Sequence, residues 1–192
     1  MGYGINVAKH PTKKWGTVIT YSVTGTGNRT NFDKAMTAWR NALSPHIRFS
    51  EAPQGVGEVD IDIAVGVQSQ RSNTWTPKDG LNGRDSSRQG TLYLLDTASP
   101  GTVIHEIGHM LGLCHEHDRQ NCPLAQARRA NYFDGERVAK QRWDLANPAN
   151  SDYVSYGDFD NASMMLYGSG YAAKDKPSDG DVATVLKING KS

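Results

Sequence analysis

The sequence lacks an excess of charge of either sign. Its 21 Lys and Arg residues face 20 Asp and Glu residues, which leaves a formal net charge of +1 over 192 residues. Nucleic acids and anionic membranes are bound through concentrated positive charge, so neither is an expected partner. Long hydrophobic runs are also absent, and none approaches the roughly 18 residues that cross a bilayer. We therefore expect a soluble, monomeric protein that binds neither nucleic acid nor membrane.

Cysteine is scarce as well. Cys114 and Cys122 are too few for a disulfide framework, although they allow one bridge. A chain of this length buries about 70% of the surface that it exposes when unfolded, so it folds without such a framework. The length fits one domain, residues 1–192. The first residues show no basic segment followed by an apolar run, so no secretory signal is visible, and a removed signal and an absent one are both open.

Hydrophobic periodicity divides the chain into strands and helices. Apolar and polar residues alternate over 59–65, the pattern of a strand with one buried face. Apolar residues recur at three- and four-residue steps over 32–43, which indicates one face of a helix. Ser99 and Pro100 supply an N-cap followed by proline at the first helical position. Strands are predicted at 18–23, 47–49, 59–65 and 91–95, and a long polar loop at 68–90. Helices are predicted at 31–43, with Thr30 as the N-cap, and at 100–111, 126–142 and 181–188.

The order of these elements predicts the architecture. Strand, helix, strands and helix in succession indicate an α+β fold in which a sheet is covered by two helices. The apolar pattern thins after about Glu116, and the C-terminal third is otherwise irregular. A compact N-terminal lobe of about 1–115 and a loop-rich C-terminal lobe of about 116–192 predict a cleft between them.

Histidine is unevenly placed, with four of the six between residues 105 and 117. On a helix, His105 and His109 share a face, which puts two imidazoles at metal-binding reach. Glu106 is turned about 100° from His105, so it can reach a water on the metal without ligating it. Gly112 is suited to end the helix in a left-handed conformation, after which His115 can return as a third ligand. Three neutral imidazoles leave an open position, the arrangement of a catalytic zinc site.

Two competing interpretations of this segment are weaker. A surface helix that carries histidines by chance would also need the glycine and the third histidine at fixed spacing, which we expect in roughly 1 chain in 10⁴–10⁵. A structural zinc site normally uses paired cysteines, and the two cysteines of this chain do not show that spacing.

Residues 105–115 resemble the extended zinc-binding motif of the metzincin metalloproteases. The next residues resemble the astacin family in particular, in which the third histidine is followed by Glu, here Glu116, and three residues later by Arg, here Arg119. Residues 163–168, Ser-Met-Met-Leu-Tyr-Gly, resemble the astacin Met-turn. The resemblance makes Met165 the hydrophobic floor beneath the imidazoles and Tyr167 an additional zinc ligand.

The resemblance implies a metzincin-type zincin fold, with a twisted, mostly parallel sheet and two helices in the N-terminal lobe, a smaller irregular C-terminal lobe, and zinc in the cleft. It implies a secreted zinc-dependent endopeptidase with one catalytic Zn²⁺. Glu106 would be the general base, and Tyr167 would leave the metal and donate its hydroxyl to the oxyanion. A protein or peptide substrate would lie extended along strand 91–95 as the edge of the sheet, unless that strand is internal.

Two alternatives stay open. Ile107, Gly108 and Leu113 are also similar to the serralysins and matrixins, so another metzincin branch with the same chemistry is one alternative. The other is a zinc-containing binding domain without activity, although such a domain would often lack Glu106.

This chain departs from the astacin pattern at several positions. Leu166 replaces a histidine that is common in the Met-turn. His46 stands where the family usually has a cysteine, so the two family disulfides are missing. Cys114 and Cys122 either form a bridge beside the third ligand or remain free thiols.

The resemblance also gives roles to neighbouring residues. Glu116 would be buried and would pair through water with an amino terminus freed by propeptide removal, the alternative being a solvated side chain. Arg119 is expected to be a structural ion-pair partner. Lys174 and Lys176, in the wall after the Met-turn, could favour acidic residues in the substrate. The remaining histidines are expected to be bystanders: His10, His46 and a surface-exposed His117.

Overall fold

A computed structural model describes residues 2–65, 73–77, 81–85, 90–119, 152–166 and 171–191. The strands in this part of the chain are β1 (Tyr3–Ile5), β2 (Val18–Gly25), β3 (Arg48–Glu51), β4 (Val59–Ala64), β5 (Thr74–Thr76), β6 (Gly90–Leu95) and β7 (Tyr153–Ser155). The α-helices are α1 (Thr30–Leu43), α2 (Pro100–Met110) and α3 (Asp179–Ile188). The helix predicted at 126–142 lies outside the described residues.

Five strands form the main sheet, in the order β3-β2-β4-β6-β5. The first four are parallel and β5 pairs antiparallel with β6, which confirms the mostly parallel sheet. The prediction that residues 91–95 form the edge is wrong, because β6 lies between β4 and β5. The edge on this side is β5, inside the stretch predicted as a loop. A strand of three residues is too short to give a periodic signal within a polar segment.

The sheet buries one face beneath α1 and α2. On β4, the side chains of Val59, Ile61 and Ile63 are buried, whereas the aspartates between them are partly exposed. This alternation is the one that the sequence predicts. A hydrogen bond joins the two helices: the indole N–H of Trp39 on α1 donates to the carbonyl of Ile104 on α2 at 3.0 Å. The helix that carries the histidine motif is therefore fixed to the core.

Both ends of α2 are specified locally. The Ser99 hydroxyl accepts a hydrogen bond from the N–H of Thr102 at 3.2 Å, and Pro100 begins the helix. After the last turn, Gly112 adopts a φ of +105°, which residues with a side chain rarely adopt. The chain reverses there, and the sequence-based prediction of both ends is confirmed.

A second, two-stranded sheet was not predicted. Strand β1 pairs antiparallel with β7. Strand β1 also lies along the segment after α2, because the N–H of Ile5 donates to the Gly112 carbonyl and the N–H of Cys114 donates to the Tyr3 carbonyl, each at 2.9 Å. The amino-terminal segment is thus hydrogen-bonded to the chain that leads to His115.

Helix α3 begins two residues before its predicted start. Its capping box is formed by Ser178 and Asp181, whose side chains each accept a hydrogen bond from the other's backbone N–H. Among the described residues, no helix combines the length and the apolar character that crossing a membrane requires.

Candidate active site

Helix α2 and the turn after it bring three imidazoles together. Nε2 of His115 lies 3.3 Å from Nε2 of His105 and 3.1 Å from Nε2 of His109. The ligand atoms of all three histidines lie within 4.8 Å of one another. Three nitrogens bound tetrahedrally to one Zn²⁺ at about 2.0–2.1 Å would be about 3.3 Å apart. The three side chains therefore fit one zinc ion.

The other ring nitrogens are held by the protein. Nδ1 of His105 lies 2.8 Å from the carbonyl oxygen of Met164, and Nδ1 of His109 lies 3.0 Å from that of Leu113. A carbonyl oxygen only accepts, so each Nδ1 carries the proton and each Nε2 presents its lone pair. Both rings are oriented for metal binding by backbone groups.

Burial keeps these imidazoles neutral at neutral pH. Loss of solvent lowers the pKa of His109 to about 4 and holds the pKa of His105 well below its ordinary value. A neutral imidazole is the form that ligates zinc. The electrostatics therefore favour the neutral, metal-binding form of His105 and His109.

The side chain of Glu106, on α2, contacts the edge strand β5. Its carboxylate accepts a hydrogen bond from the backbone N–H of Trp75 on β5 at 3.2 Å, and only 9% of the residue is exposed. Burial raises the pKa of Glu106 to about 8, and the Trp75 hydrogen bond opposes that rise. A carboxylate in such a place is a stronger base than one in water.

Met165 packs directly on the metal-binding helix. A Cβ at Gly108, between the two histidines of α2, would lie 2.7 Å from the sulfur of Met165, so glycine is needed for this approach. The Met165 carbonyl accepts from the N–H of Glu116 at 2.9 Å, which links the Met-turn to the residue after the third histidine. Tyr167, predicted as a further ligand, lies outside the described residues.

Asp181 on α3 holds the Met-turn from the other side. Its carboxylate accepts from the Ser163 hydroxyl at 2.6 Å and from the N–H of Met164 at 2.8 Å, and the residue is 1% exposed. The carbonyl of Met164 in turn accepts from Nδ1 of His105. A chain of hydrogen bonds therefore connects the cap of the last helix to the first histidine of the motif.

Glu116 and Arg119 are both buried and form an ion pair, as predicted for Arg119. The Glu116 carboxylate also accepts from the N–H of Asp160 at 2.8 Å. A Cβ at Gly2 would lie 3.3 Å from the other carboxylate oxygen of Glu116, so the amino-terminal segment lies against this residue. The solvated alternative for Glu116 is wrong.

One of the minor predictions needs correction. His117 is buried rather than at the surface, with 6% exposed. His10 lies outside the triad, with Nε2 2.7 Å from a carboxylate oxygen of Asp152. The ammonium of Lys174 donates to the carbonyls of Ala162 at 2.7 Å and Ser163 at 3.1 Å, so it supports the Met-turn. A preference of Lys174 and Lys176 for acidic substrate residues stays a prediction.

The two cysteines are only partly described. Cys114 is a buried free thiol in the structure, and the amide of Asn82 approaches its sulfur at 3.5 Å. Cys122 lies outside the described residues. The choice between a Cys114–Cys122 bridge and two free thiols therefore stays a prediction.

Several residues that support the site were not predicted from the sequence. Asn82, in the segment predicted as a loop, donates at 2.7 Å to the Leu113 carbonyl that also accepts from His109. Trp75 acts through a backbone N–H, which no sequence motif reveals, and Asp181 acts from the cap of α3. A Ser-x-x-Asp pattern at 178–181 is the one signal that could have identified the cap.

Comparison with known families agrees with this geometry. Residues 7–189 match the model of the astacin peptidase family. Flavastacin from Elizabethkingia meningoseptica is 29% identical over 109 residues, which are 55% of this chain and 22% of flavastacin. Astacin-like metalloprotease toxin 4 from Loxosceles laeta is 36% identical over 70 residues, 35% of this chain and 56% of the toxin. The matched segments thus span about a fifth and about half of these two relatives.

Solved structures show the same fold at low identity. Myroilysin superimposes with a TM-score of 0.64 and 19% identity, over 100% of both chains. The zinc-protease hatching enzyme HCE-1 of the medaka fish Oryzias latipes gives a TM-score of 0.54 and 15% identity, over 91% of this chain and 90% of that one. The fold is the α+β fold of the metzincins, and with the family match over residues 7–189 the chain belongs to the astacin family of peptidases.

Proposed function

We propose that this chain is a zinc-dependent endopeptidase in which one zinc ion is held by His105, His109 and His115. Residues 1–192 would form one catalytic domain, with the cleft between lobes of about 1–115 and 116–192. The observation that carries the proposal is the spacing of the three Nε2 atoms, 3.1 and 3.3 Å from His115 to the others, beside a buried carboxylate. When bound, zinc would polarise the scissile carbonyl and acidify a water.

Glu106 is the general base of this proposal. Its carboxylate takes a proton from the attacking water and then delivers that proton to the leaving amine. Its burial supports the assignment, because a carboxylate with little contact with solvent takes up a proton more readily than one in water. The N–H of Trp75 holds the carboxylate in place during both transfers.

Tyr167 completes the proposed site, as a ligand that leaves the metal and donates its hydroxyl to the developing oxyanion. One such donor contributes roughly 3–4 kcal/mol to transition-state stabilisation. Replacing Tyr167 with Phe should lower kcat and leave the zinc content unchanged. Unchanged kcat would remove this role.

The substrate proposed is an extended peptide laid along β5. Among the residues that the structure describes, this strand pairs with β6 alone, and the N–H of Trp75 in its middle donates to the carboxylate of Glu106. Backbone pairing with an edge strand holds an extended segment independently of its side chains. We propose in addition that the protein is secreted, since the relatives named above include a toxin and a hatching enzyme, and that it acts as a monomer, as expected from the sequence.

Casein cleavage and zinc content, measured on the same preparations, test the proposal. The wild type should bind one zinc per chain and cleave casein, and Glu106→Gln should bind zinc but lose activity by several orders of magnitude. Glu51→Gln is the matched control, because Glu51 pairs with Arg29 at the surface, and it should remain fully active. A wild type that binds zinc and cleaves nothing would leave the inactive binding domain as the better account.

A further inference from the structure

His115 differs from the other two histidines in the group that faces its second nitrogen. Nδ1 of His105 and of His109 each face a backbone carbonyl. Nδ1 of His115 faces a side chain, with a carboxylate oxygen of Asp118 at 3.5 Å. A metal-binding histidine normally directs its second N–H to a carbonyl or a carboxylate, and a carboxylate makes the imidazole a stronger ligand than a carbonyl does. The third histidine of this triad thus faces a formal negative charge.

The local backbone explains how Asp118 reaches this position. Residues Glu116–Asp118 form one turn of 3-10 helix with His115 as its N-cap, and this turn brings Asp118 back towards His115. The N–H of Asp118 donates to the carbonyl of His115 at 3.1 Å, which closes the turn. The Asp118 side chain is 8% exposed, so its interaction with the imidazole is weakly screened by water.

His117 holds the same carboxylate from the other side. Its Nε2 lies 3.5 Å from the second carboxylate oxygen of Asp118. The rings of His115 and His117 are stacked, with centroids 4.9 Å apart and planes at 16°. The Asp118 carboxylate therefore lies beside the ring nitrogens of two stacked imidazoles, one in the metal triad and one outside it.

We propose that Asp118 is a positioning residue for the third metal ligand, with a carboxylate that fixes the ring of His115 and strengthens Nε2 as a donor. His117 contacts the second oxygen of this carboxylate and keeps the carboxylate aligned. This inference rests on the proposed zinc site, and it assigns to two residues of the 3-10 turn a function in metal retention rather than in catalysis.

The experiment is a chelator competition on metal-free protein titrated with Zn²⁺. Asp118→Asn should bind zinc about 10–100-fold more weakly than the wild type. Asp152→Asn is the matched control, because Asp152 also pairs with a histidine, His10, which is not one of the triad, and its zinc affinity should be unchanged. His117→Phe keeps a stacked ring and should reduce affinity less than Asp118→Asn does.

Spectroscopy separates positioning from loss of structure. In the Co²⁺-substituted protein, Asp118→Asn should shift the visible absorption bands, which report the ligand field, and Asp152→Asn should not. If Asp118→Asn does not fold, the wild type itself supplies the test by NMR. The Nδ1 proton of His115 should be protected from solvent exchange in the zinc-loaded protein, and exchange at the rate of a free imidazole would overturn the proposal.

Four results would contradict the inference, and they are distinguishable. A wild type that binds no zinc removes the proposed function itself. A wild type that binds zinc with an affinity equal to that of Asp118→Asn removes the role of Asp118 alone. Two zinc ions in the wild type and one in Asp118→Asn would make Asp118 a ligand of a second ion. If His117→Phe weakened zinc binding as much as Asp118→Asn does, the carboxylate would act through His117.

Discussion

Gly108→Ala tests the contact between the Met-turn and the metal-binding helix. The new Cβ would lie 2.7 Å from the Met165 sulfur, closer than real Cβ contacts, and Met165 is 1% exposed, so the sulfur has little room to move. Overpacking of a buried site costs about 1–3 kcal/mol. Alanine in place of a helical glycine contributes about 0.5–1 kcal/mol in the other direction. We expect a net loss of roughly 0–2.5 kcal/mol.

Whether Gly108→Ala lowers or raises the free energy of unfolding should depend on Met165. In a Met165→Ala background the sulfur is gone, so Gly108→Ala should become stabilising by about 0.5–1 kcal/mol. The two substitutions should therefore be coupled by about 1–3 kcal/mol in a double-mutant cycle. Urea unfolding of the metal-free proteins measures this coupling without a contribution from zinc binding. Equal changes in the free energy of unfolding in both backgrounds would refute the proposed packing.

Three other outcomes follow from the structure. Asp181→Ala leaves the buried donors of Ser163 and Met164 without their acceptor. The free energy of unfolding, measured in urea, should therefore fall by about 3 kcal/mol or more, and a fall of less than about 1 kcal/mol would contradict this role of Asp181. Ser99→Ala removes the cap of α2 and should lower the free energy of unfolding by about 1 kcal/mol, measured by thermal denaturation. The raised pKa of Glu106, about 8, means that the metal-free protein should lose stability relative to Glu106→Gln as the pH rises from about 5 to 8. If the difference in free energy of unfolding between the two metal-free proteins did not change over that pH range, the burial of the Glu106 carboxylate would be contradicted.

Much of the fold could be predicted because it follows from local signals. Helix α1 lies where its apolar spacing predicts it, although Thr30 begins the helix instead of capping it and Arg29 is the N-cap. Helix α2 begins at Pro100, and the chain reverses just after its end at Gly112, two residues with a specific conformational role. Strand β4 alternates strictly, so its buried face was identifiable. In each case the information lies within a single element.

The parts that could not be predicted depend on pairing between distant segments. Strands β1 and β7 are three residues each and are stabilised by each other and by the segment after Gly112. Strand β5 became the edge of the sheet because of its pairing with β6, which no periodicity within residues 74–76 reveals. Such short strands carry almost no signal of their own.

The candidate site likewise contains residues whose positions follow from the local sequence and residues that only the tertiary structure brings together. The three histidines and Glu106 are spaced along one helix and one turn, so their proximity follows from the sequence. Asp118 and His117 were predictable in position but not in burial, because a charged 3-10 turn is usually solvated. Asn82 reaches His109 from a different part of the chain, and only the tertiary structure places it there.

Metal removal and reconstitution test the central claim most directly. The protein is stripped of metal with a chelator, and cleavage of a peptide substrate is followed while Zn²⁺ is added in known amounts. The account predicts no cleavage by the stripped protein and recovery in proportion to added zinc, complete at one equivalent per chain. Full cleavage by the metal-free protein, or no recovery at any zinc concentration despite zinc binding, would contradict it.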